Sequence, residues 1–378
     1  MVSTDLESGQ IIRIFDYSPN PRALLSRMSS PIADFASAAL FPVIHVRRGW
    51  LHGSHAVVTV RPPAGHPVPP ASRDARGLAA AIGAAAADLD GTPPTETRYL
   101  ATAAELGRWE NTPGPYLPLR PQGHIEIDAY SPPAGWPDGL VLARDLMLSR
   151  LLLPTLAAAT VVTGSVAGYA LRVLALAAAA HPGGIEFGTL SYRSHSEAMF
   201  SWKAGQVDLR QEFRSRLAAD GGDFAAALAD PVGSAASGQA ASLRQWDAAV
   251  HQCWGIGTAL ALNGQISREA LDQAGRIHEP PVLLRGSSRS AFHDQLSSDG
   301  FDENLLYWHL AHRLVLNALY QSLSCLGLTP LQRYYLCYGL SEATDRSLGQ
   351  SWSDRLAGYA AARAATSARA AATTASVG

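Results

Sequence analysis

Three observations predict an α+β fold, with a mixed or antiparallel sheet in the N-terminal third packed against a helix-rich remainder. Alternation of apolar and polar residues, the period of a half-buried strand, marks Pro42 to Val60 and His124 to Tyr130. From Asp138 onward the apolar spacing is mostly helical. The 378 residues are 47% hydrophobic and only 16% charged, against roughly 25% charged in an average soluble protein, so the chain can bury a large core. A single unit over 1–357 is expected, strand-rich over 40–130 and helix-rich over 138–357. The tail at 358–378, alanine, threonine and serine with scattered arginine, needs no fixed structure.

In chain order, Val43, His45 and Arg47 alternate with Ile44 and Val46. A second run, His55 to Val60, follows a short turn after Gly53, and Arg61-Pro62-Pro63 ends it. Ser72 to Leu89 is alanine-rich and reads as a helix stopped by Gly91-Thr92-Pro93-Pro94. Thr102 and Glu105 have capping-box spacing, which predicts a short helix starting there. Pro113, Pro115, Pro118 and Pro121 keep Asn111 to Gly123 out of helix and out of a central strand. In the strand from His124 to Tyr130, Ile125 and Ile127 face one way and Glu126 and Asp128 the other. The helical part is broken at His181-Pro182-Gly183-Gly184 and again over Gly221 to Gln239, a small-residue segment read as an exposed loop. Thr329-Pro330 starts a helix running through Tyr334, Leu336, Cys337 and Leu340.

Several function classes lose their support. A net charge of −2 leaves no overall electrostatic footprint for nucleic acid or an anionic membrane. Leu151 to Leu171 is uncharged, but Pro154, Thr160, Thr163, Gly164, Ser165 and Gly168 make it a buried helical segment instead of a membrane span. Cys253, Cys325 and Cys337 have no metal-binding spacing, and Asp5 and Glu7 stand where a signal peptide needs basic residues, so the cytoplasm is the expected location. Lys203, the only lysine, sits in no P-loop, and neither GxGxxG nor GxSxG appears. A serine-histidine-aspartate triad assembled in space stays open.

The most informative helix is Glu303 to Leu326. With His309 at zero and about 100° per residue, Arg313 falls near ~40°, Asn317 near ~80° and Tyr320 near ~20°. The rest of this helix is leucine- and valine-rich, so the polar sector either lines a pocket or is core satisfied by neighbouring backbone. His309 and His312 are three apart, yet no further ligand at helical spacing completes a metal set. Ser194, His195, Ser196 and Glu197 open what reads as a helix continuing through Phe200 and Trp202. The serines either cap it or line a site with His195. Glu105 and Arg108 precede the proline-rich loop, Arg108 as a carbonyl or carboxylate anchor or in a surface salt bridge.

Gly49-Trp50-Leu51-His52-Gly53-Ser54-His55 before a strand, Glu105-Leu106-Gly107-Arg108-Trp109, and Trp308-His309-Leu310-Ala311-His312-Arg313-Leu314 carry a resemblance. In this order the segments resemble the C-terminal elimination domain of lanthipeptide dehydratases and its stand-alone relatives in thiopeptide biosynthesis, over most of residues 43–345. In the eliminating family the strand reads His-Leu-Arg-Leu-Arg, and its arginines help handle the expelled glutamyl carboxylate. Here it reads His55-Ala56-Val57-Val58-Thr59, and Glu110 and Asn111 replace a glycine pair. The family's C-terminal histidine either aligns with His309 or is lost to a one-residue offset. The Ser194 to Glu197 segment, Asn317 to Tyr320 and Gln332 to Cys337 are similar to the repurposed branch, the thiopeptide pyridine synthases.

That branch implies a cofactor-independent, metal-free formal [4+2] cycloaddition between two dehydroalanines of a linear, azole-bearing precursor peptide. Loss of water and of the leader peptide then gives a pyridine and a macrocycle. The residue pattern, which the resemblance does not fix residue by residue, makes Tyr320, His309, His195 and Ser196 the expected catalytic residues. Arg108, Ser194, Glu105, Asn317, Arg313 and Trp308 are expected to bind substrate. Expected partners are the dehydrated precursor and other enzymes of its pathway. The alternatives are a glutamate-eliminating subunit of a split dehydratase and a non-catalytic leader-binding subunit.

Overall fold

Strands β1 (Gln10–Phe15), β2 (Val43–Gly49), β3 (His55–Arg61) and β4 (Ile125–Ala129) form one antiparallel sheet in the order β2-β3-β1-β4. The computed structural model describes residues 9–38, 43–61, 75–109, 112–203, 209–236, 238–271, 290–298 and 306–361. Register pairs Ile12 with Val58 and Ile127, and Val58 with Val46, so one sheet face is aliphatic and joins the main core. β1 escapes the alternation rule because Ile11, Ile12, Ile14 and Phe15 are all buried, the pattern of a strand covered on both faces.

The opposite face carries Arg13, His45, Arg47, Thr59, Arg61, Glu126 and Asp128. Under it lies the Asp145 carboxylate, fully buried on helix α4 (Asp138–Val161). His45 Nε2 (3.2 Å), Arg61 Nη1, Tyr130 OH (2.8 Å), and Arg144 Nε (2.9 Å) and Nη2 (2.7 Å) all meet Asp145. Burial alone would raise the Asp145 pKa, but the His45 hydrogen bond and the Arg144 charge outweigh it and hold the carboxyl well below its ordinary range. Burial lowers His45 to about 4, so it donates as a neutral imidazole.

Helix α2 (Ala75–Ala85) packs on β1 and β4, α1 (Pro21–Ala38) packs against α2 and α4, and α3 (Glu96–Trp109) follows α2 in the chain. The helix expected from Thr102 begins earlier, at Glu96, because Thr95 Oγ1 takes the Arg98 amide (3.4 Å) and supplies the start signal. The uncharged stretch from Leu151 divides between α4 and α5 (Val166–Ala179), and among the described residues no helix is long and apolar enough to cross a membrane.

Helices α6 (Gly184–Lys203), α7 (Leu209–Ala229), α8 (Gln239–Leu262), α9 (Ala291–Ser298), α10 (Leu306–Cys325) and α11 (Pro330–Leu348) complete the body. The loop expected over Gly221 to Gln239 starts later: α7 runs through Gly221 and Gly222 to Ala229, and the chain leaves the helix only from Asp230. Phe213, Leu217, Phe224 and Ala227 are buried at helical spacing, and neither glycine has another atom where a Cβ would sit, so packing overrides propensity. Thr329 caps α11 through a reciprocal capping box with Gln332, and Pro330 follows it. A further helix at 352–361 enters the segment read as a tail. Residues beyond 361, like Glu110 and Asn111, lie outside the described residues.

Candidate active site

α6 is a helix enclosed on nearly every side. Tyr192 OH donates to Leu174 O on α5 (2.7 Å), Arg193 pairs with Glu342 and Asp345 on α11, and Ser341 Oγ on α11 donates to Thr189 O (3.1 Å). Between Gly188 and Phe200 only Ser191, Ser194, His195 and Ala198 are half-buried, and every other residue there is buried. That spacing is one stripe of a helix, and three of its four residues are polar. Because α6 begins at Gly184, Ser194 and Ser196 stand in its interior and cap nothing, which rules out the capping reading.

Each polar residue of the stripe meets a side chain from another element. Ser191 Oγ is 3.0 Å from His312 Nδ1 on α10. Ser194 Oγ is 3.1 Å from His293 Nε2 on α9, and His293 Nδ1 is 2.8 Å from Ser290 Oγ. The His195 ring stacks on Tyr320 (centroids 5.0 Å, 24° between planes) and on Tyr334 (4.5 Å, 22°). The Arg333 guanidinium lies over the same two rings, 4.7 Å from the Tyr320 centroid and 5.1 Å from that of Tyr334.

The electrostatics follow from burial. Burial and the Arg333 charge lower His195 to about 3, so its imidazole is neutral at pH 7. Burial raises Tyr320 well above the ordinary phenol range, and its hydroxyl contacts Cys337 Sγ at 3.4 Å. His312, beside His181 (4.9 Å) and stacked on Trp254 (5.3 Å), is also held neutral by burial. The cluster therefore offers neutral imidazoles, protonated phenols, hydroxyls and one guanidinium.

The structure brings some of the expected residues together and separates others. His195, Ser194 and Tyr320 meet in this cluster. On α10, His309 and Arg313 are half-buried and Asn317 is exposed, while Tyr320 at 6% exposure forms the inward edge of their sector. Trp308 is half-buried and edge-on to Tyr307 (5.5 Å). Ser196 is 0% exposed, and its hydroxyl donates to the Tyr192 and Arg193 carbonyls (3.1 and 3.0 Å), so it faces the packed side of α6 and not the stripe. Glu105 and Arg108 are exposed on α3, with Arg108 Nε donating to its own helix at Ala104 O (3.3 Å).

Sequence reasoning assigned no role to His293, Tyr334, Arg333 or the Ser191–His312 pair. The signal available for Arg333 and Tyr334 is their place in the first turns after the Thr329 cap, beside the buried Tyr335. At β3 the positions lacking arginine have basic neighbours: Arg13 and Arg47 both lie opposite Val57 in register. Arg13 is taken by Glu126 and Asp128, whereas Arg47 Nε is buried with no hydrogen-bond partner. Among the described residues no three His, Cys, Asp or Glu gather as a metal-ligand set.

No family model matches the sequence, and no curated protein matches it. Solved structures do. TsrL aligns with a TM-score of 0.54 at 12% identity over 92% of this chain and 97% of its own. The pyridine synthase TbtD from thiomuracin biosynthesis aligns with a TM-score of 0.68 at 19% identity, over 91% of this chain and 99% of its own. Over nearly its whole length, the chain has the fold of that thiopeptide pyridine synthase.

Proposed function

We propose that the protein is a thiopeptide pyridine synthase joining two dehydroalanines of one linear, azole-bearing precursor peptide. The observation that carries this reading is the half-buried stripe of α6, where His195 meets Tyr320, Tyr334 and Arg333 within a fold like that of TbtD. The chemistry asks for orientation and proton movement. One dehydroalanine amide becomes its iminol, giving a 2-azadiene, and the second dehydroalanine adds across it with two new carbon–carbon bonds. Loss of water from the former carbonyl carbon, and of the leader as a carboxamide from the second α-carbon, aromatises the ring. Holding two distant alkenes in register supplies several kcal/mol, on the order of the entropy recovered by intramolecular reaction. Phenols and neutral imidazoles in a dry site suit the proton transfers.

Arg47, whose Nε lacks a hydrogen-bond partner beside Val57, favours glutamate elimination as the second reading, since a guanidinium there suits an expelled carboxylate. One mass-spectrometric experiment separates the two. Incubated with a linear dehydrated, azole-bearing precursor, the protein is expected to release an intact leader carboxamide and a macrocyclic pyridine product. An unchanged precursor, together with loss of glutamate from a glutamylated peptide, would replace this reading with the second.

A further inference from the structure

The cluster at α6 holds two buried nitrogens with no hydrogen-bond partner, His195 Nε2 and Arg333 Nε. Their side chains share two neighbours: imidazole and guanidinium each lie within about 5 Å of both the Tyr320 and Tyr334 rings. Leaving two such atoms unmet in a folded core is costly, by about 1–3 kcal/mol for each group. Their chemistry differs. Arg333 Nε can only donate. The neutral imidazole accepts at Nε2 in the tautomer that carries its proton on Nδ1.

One acceptor and one donor flanking the same two phenol rings complement a secondary amide, which presents an N–H and a carbonyl oxygen. A carboxylate fits poorly, because its oxygens would meet the imidazole lone pair. A second ammonium or guanidinium is repelled by Arg333. Both side chains are half-buried on the accessible side of α6 and α11, and the long Arg333 stem lets its head swing to admit a peptide.

We infer that His195 and Arg333 grip one backbone amide of the peptide, His195 Nε2 at its N–H and Arg333 Nε at its carbonyl oxygen, and so drive its conversion to the iminol. This inference deepens the pyridine-synthase reading and names Arg333 as a further catalytic residue of that site. The step balances. The amide N–H bond breaks as its proton passes to His195 Nε2, and the electron pair moves through the C–N bond onto oxygen against Arg333. The imidazolium then returns the proton to that oxygen, leaving a neutral iminol and a neutral His195. A guanidinium aimed at the oxygen stabilises the charge where it develops.

The test uses the full chain and two peptides. The first is the dehydrated precursor; the second is its analogue with alanine in place of both dehydroalanines, which binds but cannot cyclise. With the analogue, wild-type protein is expected to accelerate deuterium exchange at one backbone amide in NMR. Arg333→Met and His195→Asn should abolish that acceleration, and with the precursor each should lower kcat by about 100-fold or more while KM changes little. Arg333→Lys, which retains the charge and the stem, covers the case in which the methionine variant does not fold, and is expected to recover part of kcat. Folded variants that exchange and turn over like wild type would overturn the inference and leave the pyridine-synthase reading standing. Acceleration at one amide by a wild-type protein that never cyclises the precursor would uphold the inference and overturn that reading.

Discussion

At the sheet, five donor atoms from His45, Arg61, Tyr130 and Arg144 close on the two oxygens of Asp145. At α6, the imidazole of His195 and the guanidinium of Arg333 meet aromatic faces, and each keeps a buried nitrogen without a partner. Both clusters hold neutral histidines and arginines, and they differ in what the charge faces. Around Asp145 the cations have their anion inside the protein, and both Asp145 and His45 are 0% exposed. That network ties α4 to the sheet. Around His195 the Arg333 cation has no anion among the described residues, and His195 lies on the half-buried stripe of α6. Both clusters leave buried atoms unmet, His45 Nδ1 among them, so the difference lies in the charge: cations sealed with their anion hold the fold together, whereas a cation on a half-buried face is open to a substrate.

The contrast breaks most readily at Asp145. Asp145→Ala leaves Arg61 and Arg144 buried without their carboxylate and is expected to cost about 3–5 kcal/mol in denaturant unfolding, with little change in turnover per folded molecule. His195→Asn should do the reverse. A smaller effect follows from pH. His45 titrates at about 4 in the folded chain, below the ordinary imidazole value of about 6.5, so the unfolded chain binds the extra proton. The stability held by neutral His45 is complete above about pH 6.5 and falls by about 1.4 kcal/mol per pH unit toward 4, or about 2 kcal/mol by pH 5. Thermal melts between pH 7 and 5 should show at least this slope, since burial also lowers His55, His181, His195 and His312, and His45→Gln should remove only the share that belongs to His45.

Thr329→Ala removes one arm of the α11 capping box and is expected to cost about 1 kcal/mol by the same melts. Its turnover tests whether α11 must be firmly anchored to present Arg333 and Tyr334. The smallest stability effect is expected from Tyr320→Phe, which loses one contact to a thiol, a change within about 1 kcal/mol. If Tyr320 serves the chemistry, its turnover drops by about tenfold or more while the melt hardly moves.

Where secondary-structure periodicity coincided with burial, the fold was legible. Polar and apolar residues alternate in β2 and β4, β3 follows β2 across the short turn at Gly53, and α11 announces itself through Thr329-Pro330. β1 was missed because a strand covered on both faces does not alternate, and α7 was cut at Gly221 because its buried phenylalanines outweigh two weak helix formers. At the site, the Tyr320 sector of α10 and the Ser194–His195 segment of α6 were visible in one dimension. Their partners were not. His293, His312 and Arg333 reach the stripe from three different helices, a proximity that only tertiary packing creates. Ser196 shows the opposite error: it sits beside His195 in sequence, yet a step of about 100° around the helix turns it into the packed side.

Ala198 gives the most direct test of the claim that chemistry occurs on the α6 stripe. It is half-buried one turn beyond Ser194 on the same stripe. Ala198→Trp would fill the approach to His195 without altering any polar group. Leu153→Trp on α4, at a residue 59% exposed, serves as the control. Turnover of the dehydrated precursor is the measurement. Ala198→Trp, folded and melting like wild type, is expected to lose about 100-fold or more of its turnover while Leu153→Trp keeps it. Wild-type turnover by a folded Ala198→Trp protein would contradict the account.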